Sequence, residues 1–359
     1  MTHKSWFQFG IAIVLLLVVI MLFREVKDIF YPLTIIIETV FLPILLAGVL
    51  FYLTRPIVQW LTKKRLPKWS AILVVYILLF GVFWMLITII GPVVNDQMTK
   101  LIKNAPKMFH AAEEGISYIM NQRERLPENV IQAIQDVIDK IQTMAMSFGT
   151  WLITFIQSLL QATFSIVLVP FFLFYMLKDR EKFVPFITQF FNGNRKIWLQ
   201  KTLSGLDNVL KSYIQGQLLV SFLIGVMLFI GYVIIKLDYA LILALFGMAT
   251  NVIPFLGPYL AVAPAILVAW TQDPQMVIYV AIIMLVAQQI ESNLVSPNVM
   301  GKALDVHPLT VITVILTAGN IAGIWGVILG VPAYAVIKTI VSNLYDMRQE
   351  IKQAATKDV

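Results

Sequence analysis

Apolar residues fall in eight long runs along this chain, at 7–23, 33–53, 69–90, 149–177, 212–235, 239–270, 275–296 and 309–341. Most approach or exceed the roughly 20 residues an α-helix needs to cross a ~30 Å hydrocarbon core. The pattern predicts an all-α polytopic membrane protein with about eight transmembrane segments. Two runs are overlong. As one helix, 239–270 would extend roughly 48 Å, and it is interrupted by Asn251-Val252-Ile253-Pro254-Phe255-Leu256-Gly257-Pro258. Each proline removes a backbone donor and disfavours helix at the residue before it. Lipid cannot satisfy the polar groups so freed. Run 309–341 carries Gly319, Gly323, Gly326, Gly330 and Pro332, with small-xxx-small spacing that lets helix backbones approach closely. Each overlong run is expected to be broken or re-entrant, either a kinked span or a hairpin. If the chain is outside after the fifth run and its tail is inside, the two runs must be of the same kind.

The polar intervals supply orientation. Residues 54–68 hold Arg55, Lys63, Lys64, Arg65 and Lys68 and no acid; residues 178–211 hold seven basic residues against Asp179, Glu181 and Asp207. Basic loops stay cytoplasmic, so the N-terminus and the tail are expected inside. The third run should end at Gly91-Pro92. The interval 92–148 differs, with balanced charge and apolar residues at helical spacing. Met98, Leu101, Ile102, Ala105, Met108 and Phe109 form one stripe, divided or kinked by Pro106. Val130, Ile134, Val137, Ile138, Ile141, Met144, Ala145 and Phe148 form another behind Pro127. These predict a helical extracytoplasmic insertion whose two amphipathic helices pack on each other or lie on the membrane. A further stripe, Leu199, Leu203, Leu206, Leu210 and Tyr213, runs into the fifth run, where Gln215 and Gln217 are found. The expected plan is thus three membrane helices (1–91), the insertion (92–148), a fourth membrane helix (149–177), a cytoplasmic amphipathic segment (178–211), a C-terminal transport bundle with broken helices (212–345) and a cytoplasmic tail (346–359).

Composition sharpens this. With 59% hydrophobic and 13% charged residues and a mean hydropathy of +0.83, no soluble core could hide the apolar surface. The net charge of +7 reads as cytoplasmic loops and not as a nucleic-acid surface. The first run comes after Lys4, but no small-residue cleavage pattern succeeds it, so a retained helix is expected. The chain has no cysteine, and its three histidines are scattered, which leaves no thiolate chemistry and no histidine metal motif. No G-x-x-x-x-G-K-[ST] loop is present, which argues against an ATP-driven pump within the chain. No catalytic residue and no cofactor are expected.

Ionisable groups inside apolar runs are few, and they are functional candidates because lipid penalises them. Glu291 lies in the seventh run, where Gln288, Glu291 and Ser292 project from one side of a helix with Asn293 at its margin. The predicted site places that polar face against the break, with Asn251, Pro254, Gly257 and Pro258 supplying freed backbone groups. Glu38 in the second run is a candidate coupling residue. The bland alternatives are that Glu291 and Glu38 reach the interface and that the break is a structural kink.

Several stretches also resemble the autoinducer-2 exporter family of bacterial transporters. They are Phe41-Leu42-Pro43, Tyr52-Leu53-Thr54-Arg55-Pro56, Leu177-Lys178-Asp179-Arg180-Glu181, Tyr213-Ile214-Gln215-Gly216-Gln217 and Ile253-Pro254-Phe255-Leu256-Gly257-Pro258. Residues Gln288 to Gly301 and Val306-His307-Pro308-Leu309 complete the set. The resemblance implies an eight-span inner-membrane transporter with a soluble insertion after the third span, and leaves the substrate open between a signalling molecule and sodium or lithium/proton antiport. Three functions are compatible with the sequence: a secondary exporter of a small polar solute, a cation/proton antiporter, and a scaffold or stress-tolerance factor without transport. The scarcity of intramembrane carboxylates favours the exporter. Expected partners are the lipid bilayer and a small polar solute or cation, with homo-oligomerisation left open.

Overall fold

A computed structural model describes residues 5–26, 29, 31–104, 163–300 and 306–357. Among them the chain is helical throughout. In order these are α1 (Ser5–Glu25), α2 (Tyr31–Lys63), α3 (Lys68–Asn104), α4 (Thr163–Thr188), α5 (Gly193–Ile234), α6 (Ala240–Thr250), α7 (Gly257–Gln272), α8 (Met276–Val299) and α9 (Pro308–Lys357). Five of them, α2, α3, α5, α8 and α9, are long and apolar enough to cross a bilayer. Large apolar side chains cover the outside, including Leu15, Leu16 and Leu17 on α1 and Phe80 and Trp84 on α3, as lipid solvation allows and water does not. The protein is a multi-pass membrane protein.

Three apolar cores form among the described residues, the smallest being Tyr213, Ile253, Val311, Ile315 and Val331. In the first, α2 presents Ala47, Phe51, Val58 and Leu61, three or four residues apart in each pair, to Ala71, Ile72 and Val75 of α3 and Val169, Leu173 and Leu177 of α4. In the second, α5 presents Val220, Ile224, Leu228 and Tyr232 to α6, α7 and α8. The stripe from Leu199 onward and the fifth apolar run belong to this single 42-residue α5. The sequence-based divisions at 91/92, 177/178, 211/212 and 345/346 all fall inside continuous helices. They mark changes of surface chemistry, not breaks in the chain.

The end expected at Gly91-Pro92 is absent. A π-type turn at Leu86–Ile90 precedes Pro92, and another at Glu291–Val295 precedes Pro297. A helical proline clashes with the carbonyl four residues back. Widening the preceding turn makes room, and the helix continues. The prolongation of α3 then packs Val94, Met98 and Leu101 onto the second core. Gln97 Oε1 accepts the Ile242 N–H at 3.1 Å, an otherwise orphaned donor in the first turn of α6, and Asn104 Nδ2 donates to the Tyr239 hydroxyl at 2.8 Å. Of the first amphipathic stripe, Met98 and Leu101 therefore brace the C-terminal bundle, while Ala105, Met108 and Phe109 lie outside the described residues. Residues 105–162, including the second stripe, Pro106 and the start of the fourth run, lie outside the described residues.

Both overlong runs are helical hairpins. Helices α6 and α7 pack side by side, so that a Cβ at Gly247 would stand 3.5 Å from that of Ala261. Their far ends also meet: Gln272 Nε2 donates to Lys236 O and its Oε1 accepts the Asp238 N–H, both at 2.9 Å. Within α9, Ala322 and Gly323 leave helical geometry, Gly323 at φ 57° and ψ −138°. Residues 308–321 then fold back on 324–357. A Cβ at Gly319 would lie 2.9 Å from Val327 Cγ2, and one at Gly330 would lie 3.0 Å from Ala318 Cβ. Sixteen residues separate Val314 from Gly330, roughly 24 Å of straight helix, yet a Cβ at Gly330 would lie 3.4 Å from Val314 Cγ1. The small-xxx-small spacing serves this close crossing.

Candidate functional site

The tip of the first hairpin, residues 251–256, is a compact turn that faces α5 and α8 and carries one polar side chain, Asn251. Phe255 has φ 63° and centres a three-residue turn closed by Leu256 N–H to Pro254 O at 2.8 Å. Such strained turns persist only where surrounding structure holds them. The N–H groups of Asn251, Ile253 and Gly257 are bonded to Gly247 O, Thr250 O and Ile253 O at 3.0, 2.9 and 2.9 Å. The freed donor expected at Gly257 is therefore already used inside the turn. What Gly257 supplies instead is the lack of a side chain: a Cβ there would lie 2.6 Å from Asn251 Cα. Pro258 is buried in the first turn of α7, where a proline costs no hydrogen bond. Pro254 is half-buried in the tip.

Asn251 is the hub. It is 2% exposed, and its backbone carbonyl accepts a hydrogen bond from Gln217 Nε2 of α5 at 2.6 Å. Its side chain lies beside the half-buried Glu291 carboxylate of α8. The Asn251 amide nitrogen is turned toward that carboxylate but falls short of full hydrogen-bond geometry, and it bonds to no other group among the described residues. Gln288 Nε2 approaches Glu291 Oε2 at 3.5 Å, a long contact. The structure thus brings Asn251, Gln288 and Glu291 together where the hairpin tip meets the π-type turn of α8, a local geometry often found at functional positions.

Other candidates stand apart. Ser292 is exposed, with its hydroxyl donating to Gln288 O at 2.8 Å, and Asn293 is exposed, with its amide on Gln289 O and Oε1 at 3.0 and 2.8 Å. Both side chains serve their own helix through the usual bond to the carbonyl four residues back. Glu38 is exposed on α2 and has no hydrogen-bond or ion-pair partner among the described residues. No group of three or more metal-ligating side chains occurs among the described residues. A groove of about 430 Å³ lies elsewhere, between α3 and α4, and is lined by Trp69, Tyr76, Phe171 and other apolar side chains.

Sequence reasoning missed a second polar assembly. Asp207 of α5 accepts Arg55 Nη1 at 2.9 and 3.0 Å, Arg180 Nη2 at 3.3 Å and the Tyr52 hydroxyl at 3.3 Å; Gln215 Nε2 donates to Tyr52 O at 2.6 Å. It ties α2 and α4 to α5, one core to the other. Arg55 is 7% exposed, so its charge depends on Asp207 for compensation. The available signal is that Tyr52, Arg55, Arg180 and Gln215 all lie in stretches carrying the family resemblance. Asp207 lies outside them and reads in the sequence only as one acid among basic residues.

Residues 9–346 match the family described as AI-2E family transporter. "Putative transport protein YueF" of Bacillus subtilis (strain 168) is 34% identical over 343 residues, covering 93% of this chain and 92% of the relative. "Putative transport protein YrrI" of the same organism is 34% identical over 345 residues, 94% of this chain and 95% of the relative. "Putative permease PerM" of Escherichia coli (strain K12) is 24% identical over 311 residues, 83% and 86% of the two chains. With the match running from α1 to the tail and including both hairpins, the chain belongs to the AI-2E transporter family.

Proposed function

We propose that this protein is a secondary transporter of the bacterial inner membrane that exports a small polar solute such as autoinducer-2. The observation carrying this reading is the buried Asn251 amide, held short of full hydrogen-bond geometry, facing the Glu291 carboxylate at the hairpin tip. Unpaired polar groups at membrane depth are costly unless a pathway or ligand uses them. Broken helices that present such groups to a solute recur in secondary transporters. The basic intervals support a cytoplasmic N-terminus and tail. On that orientation, five crossings precede the first hairpin, α8 crosses between the hairpins, and each hairpin enters and leaves on one side. The role is transport and not catalysis.

A second reading, sodium or lithium/proton antiport, is favoured by one observation: the cluster contains a carboxylate, Glu291, which such exchange requires. Purified protein in liposomes, with labelled autoinducer-2, sodium and pH fluxes recorded in parallel, separates the two. Wild-type autoinducer-2 flux is expected, and Glu291→Gln should abolish or uncouple it while expression and oligomer size stay normal. Wild-type flux and pH dependence in Glu291→Gln, together with unaffected transport in Asn251→Ala, would remove the site from consideration. Sodium-coupled proton flux without autoinducer-2 flux would select the antiporter.

A further inference from the structure

One face of α5 carries three polar side chains, of which the site as described uses only Gln217. Tyr213, Gln217 and Ser221 stand four residues apart, so they form a single line along roughly 12 Å of helix. All three are more than nine-tenths buried, at 5%, 5% and 2% exposure. Gln217 reaches the hairpin tip through its bond to Asn251 O. Tyr213 packs with Ile253 of that tip and with Val311, Ile315 and Val331 of the second hairpin. The line therefore runs where α5 meets both hairpins.

The Tyr213 hydroxyl, the Ser221 hydroxyl and the Asn251 amide nitrogen are all buried without a hydrogen-bond partner. Ser221 is the telling case. Elsewhere in these helices Thr39, Thr54, Thr88, Thr188, Thr250, Ser292 and Thr339 donate to the carbonyl four residues back. That is the usual refuge of a helical hydroxyl, and Ser221 does not take it. Leaving a buried polar atom unpaired is unfavourable, and three along one seam call for a partner that comes and goes.

We infer that this face of α5 forms the second wall of the solute site, across from Glu291, and that its Tyr213 and Ser221 hydroxyls hold an uncharged, hydroxyl-bearing solute by hydrogen bonds. The inference rests on the exporter reading above. The wall is built from neutral groups that donate and accept. A solute hydroxyl satisfies both kinds, whereas a bare cation would leave the Asn251 amide nitrogen unpaired. Gln217 acts by fixing the tip and, through it, the position of Asn251; Tyr213 and Ser221 touch the solute.

The test uses Ser221→Ala, Tyr213→Phe and Ser221→Thr in liposomes, with labelled autoinducer-2 as the probe and sodium flux measured alongside. Ser221→Ala and Tyr213→Phe should each raise the apparent KM about two- to tenfold, the range for one lost hydrogen bond. Ser221→Thr, which keeps the hydroxyl, should stay close to wild type. Thermal unfolding temperatures should be unchanged or higher, since each deletion removes an unpaired group. An unchanged KM in both deletions beside normal wild-type flux overturns this inference and leaves the exporter reading standing. A lowered unfolding temperature with unchanged KM also overturns it, because the hydroxyls would then be structural. Absence of wild-type autoinducer-2 flux overturns the exporter reading, and this inference with it.

Discussion

Gly257→Ala tests whether the first hairpin closes as described. A Cβ at this position would lie 2.6 Å from Asn251 Cα and 2.8 Å from the Thr250 carbonyl carbon, and would run into the Thr250 oxygen. Carbon atoms in favourable contact stand about 3.5–4.0 Å apart, so the tip and the start of α7 must separate by about 1 Å. The obstructing atoms are backbone and cannot rotate aside. Overpacking of this kind costs about 1–3 kcal/mol. Reduced freedom of the unfolded chain returns about 0.4–1 kcal/mol. The net expectation is a loss of about 1–2 kcal/mol, read in detergent as an unfolding temperature about 1–3 °C lower for a chain of 359 residues. Gly48→Ala in α2 is the control, because nothing lies within 4 Å of a Cβ there. It should be neutral, or stabilising by up to about 1 kcal/mol through helix propensity. Fluorescence-detected gel filtration after graded heating measures both variants on the same scale. Moving the tip also moves Asn251 relative to Glu291, so solute flux should fall in Gly257→Ala and not in Gly48→Ala. Wild-type unfolding temperature and wild-type flux in Gly257→Ala would refute the tip geometry.

Other parts of the structure give three more expected outcomes. Asp207→Asn leaves the Arg55 guanidinium, whose side chain is 9% exposed, without its counter-ion; since the Asp207 side chain is 30% exposed, solvent screening holds the expected loss to about 1–3 kcal/mol, below that of a fully buried pair. Unchanged thermal stability in this variant would show that the ionic junction does not hold the two cores together. In this cysteine-free chain, Gly247→Cys with Ala261→Cys should oxidise to a disulfide, visible as a gel-mobility shift lost on reduction, because the Cβ separation of 3.5 Å lies within the disulfide range; failure to cross-link would argue against paired α6 and α7. A cysteine at Lys64 should be shielded from an impermeant thiol reagent in whole cells, and labelling there would reverse the assigned orientation.

Much of the outline is legible in the sequence because it depends on quantities that add along the chain. Run length, mean hydropathy and loop charge establish a multi-pass helical protein without reference to any contact. The interruption at Asn251 to Pro258 is equally local, since two prolines and a glycine act on their own neighbours. The pairing of Glu291 with that interruption is also legible, because an intramembrane carboxylate must face polar protein.

What the sequence by itself does not determine rests on contacts between distant residues. Whether 239–270 and 309–341 kink or fold back depends on meetings such as Gln272 with Lys236 and Gly330 with Val314, which no local pattern encodes. Pro92 reads locally as a helix end, and tertiary structure answers with a widened turn that keeps α3 helical as far as the C-terminal bundle. Ser292 and Asn293 follow Glu291 directly, yet only the packed structure shows them exposed and bonded within their own helix while Glu291 is half-buried beside Asn251. Asp207 needs two arginines from α2 and α4 before its role shows, and the line of Tyr213, Gln217 and Ser221 becomes informative only when burial leaves hydroxyls unpaired. Local propensity and hydropathy sum residue by residue; partnership across the bundle does not, and it is partnership that turns polar residues in a membrane into a site.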